Sequence, residues 1–245
     1  MEYAGETRVG LVRTVNQDHI LALGQGEVGL FVVADGMGGH DDGEKASKII
    51  TEILRICWKH IEINHYEQDF FKVVASIKSY LEQANTYIYE WCNKDVVCGS
   101  TVSALLLYKK SYAIFHAGDS RIYRLEKRKL SQLTVDEVWE NDIITKKKFT
   151  PSEIESSTKK GKLINAVGTT PQLNLTIKTD CYSEGTSFLL CSDGLYKMIS
   201  PRRIERALKK INKGTSVQSS MELLMEEVHN AGARDNVSII IVKAE

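Results

Sequence analysis

Hydrophobic positions along the chain follow two periods, and the switches between them predict the order of elements. From Glu44 onward they fall at 46, 49, 50, 53, 54, 57 and 61, then at Phe70, Val73, Val74, Ile77, Leu81, Ala84, Ile88 and Trp91. Spacing by three and four buries one helix face, so two long amphipathic helices are predicted, roughly 44–61 and 69–92. Their stripes read as core contacts. Short β-branched and apolar runs predict strands near 8–12, 19–23 and 28–34, and at Ser100–Tyr108, Tyr112–Ala117 and Arg121–Leu125. Lys109-Lys110-Ser111 and Glu126-Lys127-Arg128-Lys129 read as hairpin turns. Further strands are predicted at 173–179, 186–192 and 237–242, and helices from Ser200-Pro201 to 211 and over 216–230.

One stretch breaks the pattern. Residues 134–165 are polar and weakly periodic, with six lysines against three acids between 141 and 162. Within it, Thr150-Pro151-Ser152-Glu153 has the cap, first-turn proline and third-position glutamate of a helix start, so a short helix is expected near 151–160. The lysines read equally as a solvated surface or as a face for acidic partners.

Composition narrows the class. Lys plus Arg and Asp plus Glu both total 32, so no global field favours nucleic acid or a membrane surface. No window approaches 18 consecutive apolar residues, and Met1-Glu2-Tyr3 lacks a signal-peptide pattern. The five cysteines (57, 92, 98, 181 and 191) are odd in number and have no Cys-x-x-Cys pair. That argues against a disulfide framework or a zinc site and suggests a reducing, cytoplasmic setting. With three prolines and no low-complexity tract, residues 1–245 read as one domain.

The candidate chemistry sits where the predicted strands end. The run Leu30 to Ala34 delivers Asp35, followed by glycines at 36, 38 and 39. Phe188 to Ser192 delivers Asp193-Gly194, and Asp235-Asn236 opens the last strand. Asp119 lies in a strand-to-strand turn beside Gly118, and Asp18 in a polar loop after Arg13 and Asn16. Each alone reads as a turn or capping residue. Gathered together they would repel, and a divalent cation would be the natural counter-charge. An all-oxygen donor set suits Mg²⁺ or Mn²⁺, and a pair of such ions suits in-line phosphoryl displacement. Arg13 and Arg121 are the cations near these turns that could hold a phosphate. Spacing leaves both readings open.

Taken in order, Arg13-Thr14-Val15-Asn16-Gln17-Asp18, Asp35-Gly36-Met37-Gly38-Gly39-His40, Gly99-Ser100-Thr101, Gly118-Asp119-Ser120-Arg121, Ser192-Asp193-Gly194-Leu195 and Asp235-Asn236 form a set. The set resembles that of the metal-dependent protein phosphatases of the 2C type, in the bacterial form of the Met37 loop. The resemblance covers residues 8–242 and implies an α+β fold: a β-sandwich of two antiparallel sheets flanked by helices, in four αββα layers, with a binuclear metal cleft at one edge. It implies two Mn²⁺ or Mg²⁺ ions and a weaker third site. Asp35 would bridge the two ions, the Gly36 carbonyl would bind the second, and Asp193 and Asp235 would hold the first. Asp18 would act through a bound water, and Asp119 would serve the third site. Arg13 would grip the phosphate of a phosphorylated Ser/Thr protein while water activated by the metals attacks phosphorus directly, with no phosphoenzyme. Residues 134–165 would be the flap. A Ser/Thr kinase, or its substrates, would be the partner of a monomeric enzyme.

Two departures from the family pattern stand out. Animal members carry a histidine proton donor where this chain has Met37, so His40 or a metal-bound water would have to donate. The flap reads Asp136-Glu137-Val138 where bacterial relatives usually have Asp-His-Ser. Rival chemistries lack their residues. No cysteine is followed six residues later by arginine, no Asp-x-Asp ends a strand, and no Asp-x-x-His follows Ser120 as an esterase would require. A catalytically silent phosphoprotein-binding module would share the scaffold, yet all five carboxylate positions hold Asp.

Overall fold

The computed structural model describes residues 1–39, 42–64, 69–92 and 98–244, with side chains for all of these except 62–64 and 143–144. In chain order the strands and helices begin with β1 (Glu2–Arg8), β2 (Asp18–Gln25), β3 (Val28–Met37), α1 (Asp42–Asn64) and α2 (Phe70–Trp91). Then come β4 (Gly99–Ser100), β5 (Val102–Tyr108), β6 (Ser111–Ala117), β7 (Arg121–Glu126), β8 (Lys129–Gln132), α3 (Ile143–Lys148) and α4 (Pro151–Ser156). The last are β9 (Thr176–Cys181), β10 (Ser187–Cys191), α5 (Asp193–Tyr196), α6 (Pro201–Ile211), α7 (Val217–Asn230) and β11 (Val237–Lys243).

Two antiparallel sheets form, one in the order β1-β11-β10-β7-β8 and the other β2-β3-β5-β6-β9, with β4 against β3. Their central strands are apolar on both faces because both faces are covered. In β3, Leu30, Val32 and Ala34 join the core under α1 and α2, while Phe31 and Val33 point between the sheets. In β11, Val237, Ile239 and Ile241 join the core under α6 and α7, while Ile240 and Val242 meet the opposite sheet. Two helical layers therefore sandwich two sheets, as expected.

The structure corrects several boundaries. The strand expected at 8–12 lies instead at Glu2–Arg8, where each residue pairs with β11. As an edge strand it buries only Ala4, so its sequence carries no alternation, and the more apolar Val9, Leu11 and Val12 fall in the following loop. The expected 173–179 strand is Thr176–Cys181, Lys129–Gln132 continues as a strand past its turn, and α3 is an element the polar pattern hides. The 151–160 helix ends at Ser156, although its capping box forms between Thr150 and Glu153 as read.

A disulfide joins Cys92 and Cys98, with their Cα atoms 5.9 Å apart, correcting the reading of the cysteines as unpaired. A gap of six residues matches no ligand or framework spacing, so only the meeting of the α2 end with β4 shows it. None of the described helices is long and apolar enough to cross a membrane.

Candidate metal centre

The β2–β3 ladder sets the centre. Its register places Asp18, the first residue of β2, directly opposite Asp35 near the end of β3. Like charges facing across a ladder destabilise the pair unless something offsets them. Asp18 is 2% exposed, and its Oδ2 accepts from the Ser192 and Ser238 hydroxyls at 2.7 and 2.8 Å. Its Oδ1 is buried with no hydrogen-bond donor among the described residues. Ser192 follows β10 and Ser238 lies near the start of β11 in the opposite sheet, so Asp18 ties the two sheets together at this edge.

The remaining carboxylates arrive from separate elements. Asp193 opens α5 directly after β10, Asp235 precedes β11, and Asp119 follows β6 in the turn to β7. Burial first, then the charges of Asp18, Asp193, Asp119 and Asp235, hold the Asp35 carboxyl well above the usual range. Burial also pushes Asp18 up to about 6; the Ser192 and Ser238 hydroxyls oppose this and Asp193 adds to it. Asp119, 7% exposed, is pushed up to about 6 by burial and then by Asp193, while Tyr196 Oη donates to it at 3.3 Å. The five aspartates expected to form a site thus share one electrostatic environment.

Two cations already answer part of this charge. Arg13 donates Nη2 to Asp235 Oδ2 and Nε to Asp235 Oδ1, each at 2.8 Å. That pairing raises the arginine pKa further, and Asp193 and Asp35 add to the effect. Lys197 donates to Asp193. Burial lowers the Lys197 pKa, but Asp193, then Asp119 and Asp35, outweigh it and raise it. Lys197 escaped the sequence reading, although its place four residues after Asp193, one helical turn on, could have shown it. Among the described residues, no three His, Cys, Asp or Glu side chains converge as a ready ligand set.

The surroundings nevertheless fit a hard divalent cation. The donors are all oxygen, Asp18 Oδ1 is orphaned, and the mutual repulsion is the kind that a cation relieves. Backbone packing is equally tight. A Cβ on Gly36 would lie 2.0 Å from the Gly43 carbonyl oxygen, and one on Gly194 would lie 2.0 Å from that of Asn236. Only glycine lets the main chain carrying these positions press against its neighbours.

The Arg13 loop is pinned from behind by a residue that sequence reading took only as a motif neighbour. Asn236 Nδ2 donates to the Val9 and Val15 carbonyls at 2.9 and 3.0 Å, and its Oδ1 accepts from the Gln17 amide at 2.9 Å. Arg121, the other expected phosphate-binding cation, is engaged elsewhere. Its Nε and Nη2 reach Asp136 at 2.9 and 2.6 Å, its Nη1 donates to Tyr123, and its guanidinium lies 3.5 Å from the Tyr196 ring centre. It ties the start of the 134–165 segment to α5. Glu137 adds a second tie: its amide donates to the Gly118 carbonyl at 2.8 Å and its Oε2 accepts from the Gly118 amide at 3.0 Å. His40 lies outside the described residues.

Residues 12–234 match the model of the Protein phosphatase 2C family. Protein phosphatase PhpP of Streptococcus pneumoniae is 28% identical over 245 residues, spanning 99% of this chain and 97% of its own. The crystal structure of the serine/threonine phosphatase PstP/Ppp of Mycobacterium tuberculosis superposes with a TM-score of 0.83 at 28% identity, covering 100% of this chain and 98% of that one. The catalytic domain of PstP in complex with two manganese ions superposes at 0.79 with 28% identity, covering 98% and 96%.

Proposed function

The chain belongs to the protein phosphatase 2C family, and on that premise we propose that it is a metal-dependent protein serine/threonine phosphatase working at the Asp18–Asp35 edge of the sandwich. The observation that carries this reading is the facing pair Asp18 and Asp35, surrounded by Asp119, Asp193 and Asp235 from three other elements. Five neighbouring carboxylates, three of them held above their ordinary range, are costly to fold without a cation to receive.

Asp35 would hold both ions, the Gly36 carbonyl the second, Asp193 and Asp235 the first, Asp18 a coordinated water, and Asp119 a weaker third site. Two Mn²⁺ or Mg²⁺ ions bound there supply a water of lowered pKa and positive charge against the phosphate oxygens in an in-line displacement. The chain's own residues do the rest. Arg13 swings from Asp235 to the phosphate, where its planar fork fits two oxygens and fixes the orientation of the ester. Ser192 and Ser238 hold Asp18 in place by donating to Oδ2, which leaves Oδ1 without a donor among the described residues. The leaving Ser or Thr oxygen would take its proton from His40 or from a water held by the ions, and His40→Ala separates these. Residues 134–165 serve as the flap of one catalytic domain, which acts as a cytoplasmic monomer opposite a Ser/Thr kinase.

Hydrolysis of p-nitrophenyl phosphate and of phosphothreonine peptides with Mn²⁺, before and after EDTA, tests the reading. Turnover that survives EDTA, or that is unchanged in Asp35→Asn, overturns it. Phosphopeptide binding without any turnover would assign the chain to a silent module instead.

A further inference from the structure

We propose that a cavity beside the Arg13 loop is a substrate subsite, taking an apolar side chain of the phosphoprotein within two residues of the phosphorylated one. This rests on the phosphatase reading and on Arg13 as its phosphate grip. The cavity is about 330 Å³ and mainly apolar, lined by Val9, Leu11, Met225, Val228, His229 and Val237 among others. That volume is at the small end of ligand pockets and ample for one aliphatic or aromatic side chain.

Its floor and its wall differ in kind. Met225, Val228 and Val237 are floor residues, at most 2% exposed, and belong to the core under α6 and α7. Val9 and Leu11 form the wall and are 36% and 58% exposed. Val12 and Val15, on either side of Arg13, are exposed as well. Val9 and Leu11, the two of these that line the cavity, give it an exposed apolar rim above a buried apolar floor.

Continuity with the phosphate grip identifies the occupant. Leu11 is two residues before Arg13, and Ala233, a buried lining residue, is two residues before Asp235. Two residues of chain span at most about 7 Å, so the cavity wall lies within that distance of the Arg13 backbone, which places an occupant close in sequence to the phosphorylated residue. The loop is also built in advance. The Leu11 amide donates to the Ala233 carbonyl at 2.8 Å, and a Cβ on Gly10 would lie 2.3 Å from the Asp235 carbonyl oxygen. The cavity wall and the Arg13 backbone therefore sit on one fixed loop, which favours a peptide that fills the cavity while its phosphate meets the arginine.

The test uses phosphothreonine peptides that differ only in carrying Leu or Ser at positions one and two residues on either side of the phosphothreonine. With Mn²⁺ present, kcat/KM should favour the best Leu peptide over its Ser counterpart by about tenfold, the discrimination that one apolar pocket gives. In Leu11→Gln and Val9→Gln that ratio should fall toward one, with an unchanged melting temperature confirming the fold. A ratio of one in the unmodified chain overturns the proposal, as does a ratio that neither variant alters. A concentration-dependent doubling of mass abolished by Leu11→Gln would assign the cavity to a second copy and also overturn it. If neither peptide is turned over in an EDTA-sensitive way, the phosphatase reading fails and the subsite with it.

Discussion

Arg13 and Asp235, separated by 222 residues of sequence, meet in a two-pronged ion pair with both contacts at 2.8 Å. The residue proposed to hold the phosphate thus occupies a carboxylate proposed to hold a metal, so metal and arginine compete for Asp235. Replacing Arg13 should act in opposite directions on the two ligands. In Arg13→Ala, kcat/KM for a phosphothreonine peptide should fall about 10- to 100-fold, the loss of charge-assisted hydrogen bonds to the phosphate. Mn²⁺ affinity by calorimetry should hold or rise, by no more than about fivefold, because the pair is half-exposed and worth about 1 kcal/mol at most. A fall in both would show that Arg13 supports the metal ligands and does not compete for them.

Gly36 and Gly39 share one loop but should tolerate substitution very differently. A Cβ at Gly36 would meet the Gly43 oxygen at 2.0 Å and the Gln17 oxygen at 2.7 Å, both backbone atoms that cannot swing aside. At Gly39 nothing among the described residues lies within 4 Å. Gly36→Ala should cost about 2–5 kcal/mol in urea unfolding and abolish Mn²⁺-dependent turnover, whereas Gly39→Ala should stay within about 0.5 kcal/mol. Equal effects would place the constraint outside this packing contact.

Much of this arrangement is legible in the residues themselves. Continuous apolar runs such as Leu30–Ala34 and Val237–Val242 belong to strands covered on both faces; Asp35 follows the first directly and Asp235 precedes the second by two residues. The register that sets Asp18 against Asp35 is not legible, because it depends on the pairing of two strands and on the turn between them. Nor is the role of Asn236, whose three hydrogen bonds reach back more than 200 residues. β1 escaped because an edge strand with a single buried residue has no hydrophobic period to read. Arg121 was misjudged for a similar reason: its partners Asp136 and Tyr196 flank it only in space.

Raised carboxylate pKa values give the metal-free protein an unusual pH dependence. Asp18 and Asp119 titrate at about 6 in the folded chain against an ordinary value of 3.8, chiefly through burial. The folded state therefore holds these protons more tightly than the unfolded one, and ionisation costs stability. Their contribution is fully present below the ordinary value and is lost as pH rises through about 6. For one such group the loss is about 3 kcal/mol. In EDTA, the melting temperature relative to that of Asp119→Asn should fall between pH 4.5 and 7.5. With Mn²⁺ the trend should reverse, because the ionised carboxylates are then the ligands. An equal pH dependence of the two proteins in EDTA would contradict the assignment.

The Arg121–Asp136 pair should couple the flap to the metal edge. Both side chains are largely buried, 20% and 12% exposed, and the guanidinium is sandwiched between a carboxylate and the Tyr196 ring. Tyr196 in turn donates to Asp119, so the chain of contacts runs from the flap base to a proposed metal ligand. Arg121→Ala leaves Asp136 without its cation and should cost about 2–4 kcal/mol in urea unfolding. Arg121→Lys should recover less than half of that, since an ammonium cannot fork to both Asp136 oxygens or lie flat on a ring. The same variants should speed tryptic cleavage at Lys146–Lys148 and Lys159–Lys162, where the lysine-rich segment follows the anchored base. If stability falls while cleavage of that segment keeps its rate, the pair serves the fold alone and the flap is held by the Glu137–Gly118 contacts.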